Sequence, residues 1–451
     1  MRKSAALLLI LAYLIATSIP SPLPVKAESR TIVVPDDYPT IEEAINAAKE
    51  SDTIFVKKGT YEGPANQTLA IGKSISIIGE STEKTIVKLQ PAYNVTWILS
   101  TPIYQYSNSM VIDANNVHLI NLTIRHTGMI IANGDSLQII GNNISSPAVN
   151  SVFIKGSNCN LINNCFSYSM NVEGSSNTIK QNSYDELTLQ STTQSTIESN
   201  TFHYLKLFSS HSNIISKNNI SASYSSFSVE VHNSNGNNFD GNYMTGLELS
   251  DSNENVFAKN NITSKILSLI DDYEIDISEL DPATPSCYSI ATENSSKNLF
   301  YFNSIANVII NDQLSHDNMF YANAFVGPAL NDGIVRISQL KINNNYWDNG
   351  SIGNYWSDYL TKYPNASEIG NSGIGNTPYV VSPSHSEFDP IAYIDHYPLV
   401  QPFSEDVSGE PEPFPTAAVV AASGVAVAVV SIGLLVYFKK RKHQAETVGS
   451  K

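Results

Sequence analysis

The sequence predicts an all-β protein: a right-handed, single-stranded parallel β-helix (a solenoid) with an N-terminal capping helix, followed by one C-terminal transmembrane helix. Three features of the 451-residue chain support this prediction. A coil-length repeat runs through its middle, a helix-capping motif precedes the repeat, and a long uncharged segment follows it.

The repeat consists of an apolar residue, an asparagine three positions later and a second apolar residue two positions after that. Its ten copies are Ile139/Asn142/Ile144, Leu161/Asn164/Phe166, Ile179/Asn182/Tyr184, Ile197/Asn200/Phe202, Ile215/Asn218/Ile220, Phe239/Asn242/Met244, Phe257/Asn260/Ile262, Phe300/Asn303/Ile305, Phe320/Asn323/Phe325 and Ile342/Asn345/Trp347. Successive asparagines are 18 to 24 residues apart, except for one interval of 43 that we interpret as two coils with an insertion.

Short strands with this spacing favour one architecture. Stacking each coil on the next pairs every strand in a parallel ladder, which isolated strands of three to five residues could not achieve. Asparagine suits the corner because it tolerates a left-handed backbone and its amide can bond the same amide one coil away. We therefore expect a stacked asparagine ladder inside the solenoid. A leucine-rich horseshoe or a propeller fits the repeat less well.

The N-terminal end of the solenoid needs a cap. Thr40 to Glu43 forms a capping box that opens a short helix with an apolar face. We assign residues 31–60 to this cap, about 61–347 to the coils and 348–402 to a closing segment, all within a body of residues 28–402.

The first 27 residues are interpreted as a signal peptide. Arg2 and Lys3 precede an apolar run from Ala5 to Ile19, and a small-residue site predicts cleavage before Glu28. A retained N-terminal anchor is the alternative.

The C-terminal end predicts a single membrane span. Residues 403–416 form an acidic, proline-rich linker, and Ala417–Phe438 carry no charge. The basic run Lys439–Lys442 begins the tail 439–451, which the positive-inside rule assigns to the cytoplasm. The prediction is a single-pass cell-membrane protein with an extracellular body.

The formal net charge of −16 excludes nucleic acid as a partner, because phosphates would repel such a body. The three cysteines are Cys159, Cys165 and Cys287, so one disulfide at most can form among them. Proximity favours Cys159 with Cys165, although the sequence leaves the pairing open.

Both ends of the body resemble a known family. The segments Asp52–Val56, Gly59–Tyr61 and Ser74–Gly79, with Gly353–Tyr359 and Gly373–Tyr379 near the end, are similar to pectin-lyase-like β-helix proteins, especially the periplasmic copper-binding NosD family. The resemblance implies a carbohydrate-binding or sugar-hydrolase type of β-helix, and copper as a cofactor is implied by it alone.

The long interval between Asn260 and Asn303 contains an acidic cluster. Asp271, Asp272, Glu274 and Asp276 could hold Ca²⁺ or meet a basic partner. A solvated acidic loop is the alternative.

Aromatic residues concentrate at the last coil. They could stack on sugar rings or cover the open end of the solenoid. The five are Tyr346, Trp347, Tyr355, Trp356 and Tyr359.

Three glycosylation sequons share one position in the repeat. Asn143, Asn219 and Asn261 each follow a ladder asparagine and precede an inward isoleucine, so they should point outward in one column.

These features leave three functions open, and no catalytic residue is identified. The first is a membrane-anchored surface protein that binds carbohydrate or cell-envelope proteins without catalysis. The second is a polysaccharide lyase or glycoside hydrolase acting on an outer groove, which requires acidic and basic side chains to converge there. The third is a NosD-like copper-delivery accessory, which requires His and Met to converge.

Overall fold

The computed structural model describes residues 29–98, 101–146, 152–222, 227–263, 289–310, 314–326, 335–337, 345–382 and 393–403. The predicted signal peptide, linker, membrane span and tail therefore lie outside the described residues. The described chain is a parallel β-solenoid, which confirms the predicted β-helix. None of its helices has the length and apolar character needed to span a membrane.

Each coil contributes strands to three sheets, which we name A, B and C in the order the chain meets them. Sheet A contains Thr31–Val34, Thr53–Val56, Ser76–Gly79, His118–Ile120, Gln138–Ile140, Asn160–Ile162, Thr178–Lys180, Thr196–Glu198, Ile214–Ser216, Asn238–Asp240, Val256–Ala258, Leu299–Tyr301 and Met319–Tyr321.

Sheet B has two parts that isolated bridges at Ser183 join into one column. Its strands are Gly59–Glu62, Thr85–Leu89, Thr123–His126, Asn143–Ser145, Cys165–Phe166, Thr201–Phe202, Asn219–Ile220, Tyr243–Thr245, Asn261–Thr263, Ser304–Ile305, Ala324–Phe325 and Tyr355–Trp356.

Sheet C forms the third face. Its strands are Leu69–Ile71, Met110–Ile112, Ile130–Ala132, Val152–Lys155, Met170–Ser175, Glu186–Thr193, Tyr204–Phe208, Val229–His232, Leu247–Ser250, Ile290–Glu293, Val308–Ile310 and Val335–Ile337. Two antiparallel pairs complete the described strands, Tyr93–Ile98 with Thr101–Tyr106 and Tyr379–Ser382 with Tyr393–Asp395.

The predicted capping helix is present. Helix α1 spans Ile41–Ala47, and the Thr40 hydroxyl accepts a hydrogen bond from the Glu43 backbone N–H at 3.1 Å. Ile41, Ala44 and Ile45 are buried and pack with the first two sheet A strands in the apolar core. A second short helix, α2, spans Tyr359–Lys362 near the other end.

The predicted asparagine ladder runs along the corner between sheets A and B. At each rung the backbone N–H and the side-chain amide both donate to the amide oxygen of the next asparagine; from Asn182 to Asn200 the distances are 2.9 and 3.0 Å. The same Asn182 amide also donates to the Leu161 carbonyl at 2.8 Å. The rungs are Asn142, Asn164, Asn182, Asn200, Asn218, Asn242, Asn260, Asn303, Asn323 and Asn354.

Three details of the ladder prediction were wrong. Asn260 bonds Asn303 directly and their sheet A strands are paired, so the 43-residue interval is one coil with an insertion and not two coils. The rung after Asn323 is Asn354 rather than Asn345, because Asn345 belongs to another corner of the coil. From Asn142 to Asn323 the residue before each ladder asparagine is the left-handed one, and even Phe302 adopts this conformation, with φ of 56°. The asparagine is therefore selected for its hydrogen bonds and not for its own backbone angle.

A second ladder, which the sequence analysis missed, follows the corner between sheets C and A. Its members from Asn177 to Asn318 lie five residues before those of the first ladder, and Asn345 lies nine before Asn354; Ser195 replaces one asparagine. They are Asn177, Ser195, Asn213, Asn237, Asn255, Asn298, Asn318 and Asn345.

Aromatic rings stack inside the solenoid because neighbouring strands repeat at ~4.8 Å. The centroids in the longest column are 4.5 to 4.8 Å apart. This column contains Phe239, Phe257, Phe300, Phe320 and Trp347.

The proximity argument for a disulfide between Cys159 and Cys165 was wrong, since both thiols are free. Cys159 is buried at the sheet C–sheet A corner, whereas Cys165 is exposed on a sheet B strand. The coil directs the two side chains to different places despite their closeness in sequence. Cys287 lies outside the described residues.

Candidate functional site

The outer face of sheet C brings charged side chains together. Lys206, Glu230 and Glu248 occupy one register on three neighbouring strands. The residues on both sides of each are buried, so strand alternation directs these three outward. Adjacent strands lie ~4.8 Å apart, so the register places Glu230 and Glu248 side by side on the sheet.

Aromatic and imidazole rings flank this column. Phe208 and His232 share the next outward register, and their rings stack at 5.2 Å between centroids. The His232 Nε2 lies 3.7 Å from a Glu230 carboxylate oxygen. Tyr204 lies on the other side of Lys206, with the Lys206 ammonium 6.0 Å from its ring centre.

Lys206 is anchored by an acidic partner. Its ammonium lies 3.0 Å from the Glu186 carboxylate, and both side chains are about a quarter exposed. Glu186 and Tyr204 are directly paired across the two strands. The cation is therefore fixed beside the carboxylate column.

The two central carboxyl groups have pKa values shifted in opposite directions. Interaction with His232, and less so the charge of Lys206, lowers the pKa of Glu230 against the effect of burial. Burial raises the pKa of Glu248, and the charges of Glu230 and Glu293 add to this, while His232 opposes it. The same interaction with Glu230 raises the pKa of His232.

This arrangement can separate an acid from a base. A carboxylate that ionises early beside a carboxyl that retains its proton is the pattern expected of a general acid–base pair. Glu186, Glu230, Glu248 and Glu293 outnumber Lys206 and His232, so the face is acidic and favours a neutral ligand over an anionic one.

The predicted sugar-binding aromatic cluster is largely buried. Trp347, Trp356 and Tyr359 are each 1% exposed, so they cannot stack on a ligand, and this part of the prediction was wrong. The Trp356 ring stacks between those of Phe325 and Tyr379, at 4.4 and 4.3 Å, and helps to close the solenoid.

The other two members of that cluster remain accessible. Tyr346 is 46% exposed, and Tyr355 is half-buried. The closing segment therefore uses its large rings mainly for packing.

The three sequon asparagines lie where the sequence placed them. Asn143, Asn219 and Asn261 are exposed on sheet B, and one register connects them through the intervening coils. Glycosylation itself stays a prediction. This column is on a different sheet from the Glu230–Glu248 pair.

The predicted metal residues Asp271, Asp272, Glu274 and Asp276 lie outside the described residues. Within the described ranges, no group of three or more His, Cys, Asp or Glu side chains is arranged to hold a metal ion. The expectation of copper or Ca²⁺ therefore gains no support from the described geometry.

A fixed sequence interval could have identified the sheet C column. Lys206, Glu230 and Glu248 each lie twelve residues before a ladder asparagine. The register of sheet C, which brings these three side chains together, is not visible in the sequence without that count. The connections between sheets B and C differ in length, so the three residues are unequally spaced in sequence. Their common position becomes visible only when residues are counted back from each ladder asparagine.

No protein family and no curated protein matches this chain. Among solved structures, the chain is similar to the A-module of a mannuronan C-5 epimerase from Azotobacter vinelandii, with 10% identity, a TM-score of 0.47 and coverage of 68% of this chain and 93% of that one.

Two further solved structures are similar at comparable levels. A PL6 alginate lyase has 10% identity and a TM-score of 0.38, covering 79% of this chain and 88% of its own. A family 28 exopolygalacturonase from Yersinia enterocolitica has 8% identity and a TM-score of 0.39, covering 71% of this chain and 78% of its own.

Proposed function

We propose that this protein is a glycoside hydrolase that acts on a neutral glycan along the outer face of sheet C. The observation that carries the proposal is the pairing of Glu230 and Glu248 on adjacent strands, with pKa values shifted in opposite directions. This was the second of the three functions compatible with the sequence, and the convergence it required is present on sheet C.

In this proposal Glu248 is the general acid and Glu230 is the nucleophile or base. Retaining glycosidases hold their two carboxyl groups ~5 Å apart, close to the ~4.8 Å between neighbouring strands. The raised pKa of Glu248 favours its protonated form, which can donate to the leaving oxygen, and the lowered pKa of Glu230 favours its ionised form. Glu248 is paired across the strands with Ala291, which is buried.

Neighbouring side chains provide binding surface. The rings of Tyr204 and Phe208 are partly exposed on either side of Lys206 and are suited to stacking on sugar rings. An acidic polymer is a poorer substrate for this face, because its carboxylates would meet four glutamates. The same two rings would also serve the alternative function, binding of glycan without catalysis.

The location is proposed from the sequence. Ala417–Phe438 would anchor the protein in the cell membrane and the basic tail would remain in the cytoplasm. The β-solenoid would then face the outside of the cell, where envelope or environmental glycans are accessible.

The test is an activity assay of the full-length protein, purified in mild detergent, on a panel of neutral and acidic polysaccharides. Reducing ends report hydrolysis, and absorbance of unsaturated uronates reports elimination. Glu248→Gln and Glu230→Gln are each expected to lower hydrolysis at least 100-fold. Glu198→Gln is the matched control, since Glu198 is a lysine-paired carboxylate on the outer face of sheet A.

The outcomes separate the candidate functions. Hydrolysis would be supported if release of reducing ends is lost in both glutamine variants and retained in the control variant. Binding of a neutral glycan without product would favour the non-catalytic alternative. Unsaturated products from acidic polymers would contradict the proposal and indicate a lyase.

A further inference from the structure

A groove at the outer edge of sheet B has a different charge from the sheet C face. Lys88, Arg125 and Ser145 share one register on three neighbouring strands. Leu89 and His126, the residues that follow two of them, also line the groove. This "sheet B groove" lies several coils before the strands that carry Glu230 and Glu248.

The groove carries an excess of positive charge. The Lys88 ammonium lies 2.9 Å from the Glu62 carboxylate, which neutralises one cation. Arg125 is exposed, and no hydrogen bond or ion pair between residues of the described ranges involves its guanidinium. By contrast, Arg30 bonds Asp52 at 3.0 Å. Among the described residues Arg125 has no acidic partner, which is unusual in a chain of net charge −16.

The floor of the groove is fixed and neutral. His126 is 3% exposed, and its Nδ1–H donates to the Gly128 carbonyl at 2.6 Å. Burial lowers the pKa of His126, so its ring adds no charge at neutral pH. The net positive charge of the groove is therefore carried by Arg125, since Glu62 balances Lys88.

We propose that the sheet B groove is a second binding site, which takes an oxyanion group such as a carboxylate, sulfate or phosphate. The Arg125 guanidinium offers a planar pair of N–H donors that match two oxygens of such a group. Lys88, whose charge Glu62 balances, contributes ammonium N–H donors, and Ser145 contributes a hydroxyl donor from the neighbouring strand. This site is independent of the proposed hydrolase, because it lies on another sheet and uses other residues.

The test is calorimetric titration of the full-length protein with galacturonic acid, inorganic sulfate, inorganic phosphate and neutral galactose. We expect at least one anion to bind, with weaker affinity at high salt, and galactose to bind at least tenfold more weakly. Arg125→Gln should weaken anion binding at least tenfold. Arg125→Lys should weaken it less, because it keeps the charge and loses the planar donor pair.

Lys180→Gln is the control, since Lys180 is a cation on the outer face of sheet A, outside the groove, where Glu198 pairs with it. Circular dichroism would verify that each variant is folded. Preference for galacturonic acid over sulfate and phosphate would identify an acidic sugar as the ligand, and the reverse preference a free oxyanion. Equal affinity for galactose, absence of binding, or unchanged affinity in Arg125→Gln would each overturn the proposal.

Measuring hydrolysis in the Arg125 variant separates the proposed oxyanion site from the proposed hydrolase site. Arg125→Gln is expected to leave reducing-end release from neutral glycans within twofold of the parent protein. A loss of that activity in a folded Arg125→Gln variant would contradict the independence of the two sites.

Discussion

The corner between sheets A and B differs sharply from the connection between sheets B and C. From Ile140 onward, each sheet A strand is followed by two residues, one left-handed and one a ladder asparagine, before sheet B begins. The next connection has no fixed length: Ile220 and Val229 are close in sequence, whereas 26 residues separate Thr263 from Ile290. The hydrogen-bonded corner keeps its two-residue length as far as Asn323, and only the last coil lengthens it, between Tyr346 and Asn354. The connection between sheets B and C varies in length from coil to coil.

The largest expected effect comes from breaking the ladder. Asn200→Ala would remove the hydrogen-bond partners of two buried backbone groups, the Asn182 N–H and the Ile179 carbonyl. We therefore expect the free energy of unfolding to fall by about 3–5 kcal/mol. Urea denaturation would measure it. The control is Asn219→Ala, an exposed asparagine nearby, expected to change stability by less than about 0.5 kcal/mol. Similar losses in both variants would contradict a special role for the ladder.

The ladder also predicts a pH dependence, because an aspartate ends it. Asp395 is fully buried and accepts hydrogen bonds from the Asn354 N–H at 2.7 Å and the Trp356 indole at 2.9 Å. Burial raises the pKa of Asp395 to about 7, although these hydrogen bonds oppose the shift.

A raised folded-state pKa means that the folded protein binds the proton more tightly than the unfolded chain. Protonated Asp395 therefore stabilises the folded protein. This stabilisation is complete below the pKa of Asp395 in the unfolded chain and is lost as the pH rises through about 7. We expect stability to fall by up to about 4 kcal/mol between pH 4 and pH 7, and Asp395→Asn to flatten this slope. Thermal unfolding across that pH range would measure it; an unchanged slope in the variant would refute the assignment to Asp395.

The smallest effect is expected from shortening the long connection between Thr263 on sheet B and Ile290 on sheet C. Replacing residues 264–288 with a short Gly-Ser linker should change the free energy of unfolding by less than about 1 kcal/mol, since loop closure depends weakly on length. Urea denaturation of this variant beside the parent would measure it. A loss of several kcal/mol would show that the connection is part of the folded core. Calcium titration of both proteins would also test the predicted acidic site.

The sequence was sufficient for the parts of the molecule that repeat. Asn182 and Asn200 marked the coil because identical corners impose identical residues, and Thr40 marked the capping helix through a local hydrogen bond. Periodicity also placed Asn143, Asn219 and Asn261 in one outward column. These are short-range rules, so a single sequence contains them.

Only the tertiary structure identified the candidate site and the fate of the terminal rings. Glu230 and Glu248 meet because stacking brings adjacent coils to one register, and their pKa values diverge through burial and through contact with His232. Trp356 resembled a sugar platform in sequence, but the end of the solenoid covers it. Whether a side chain is buried, and which charge it faces, depends on neighbours from other coils, and the local sequence does not specify them.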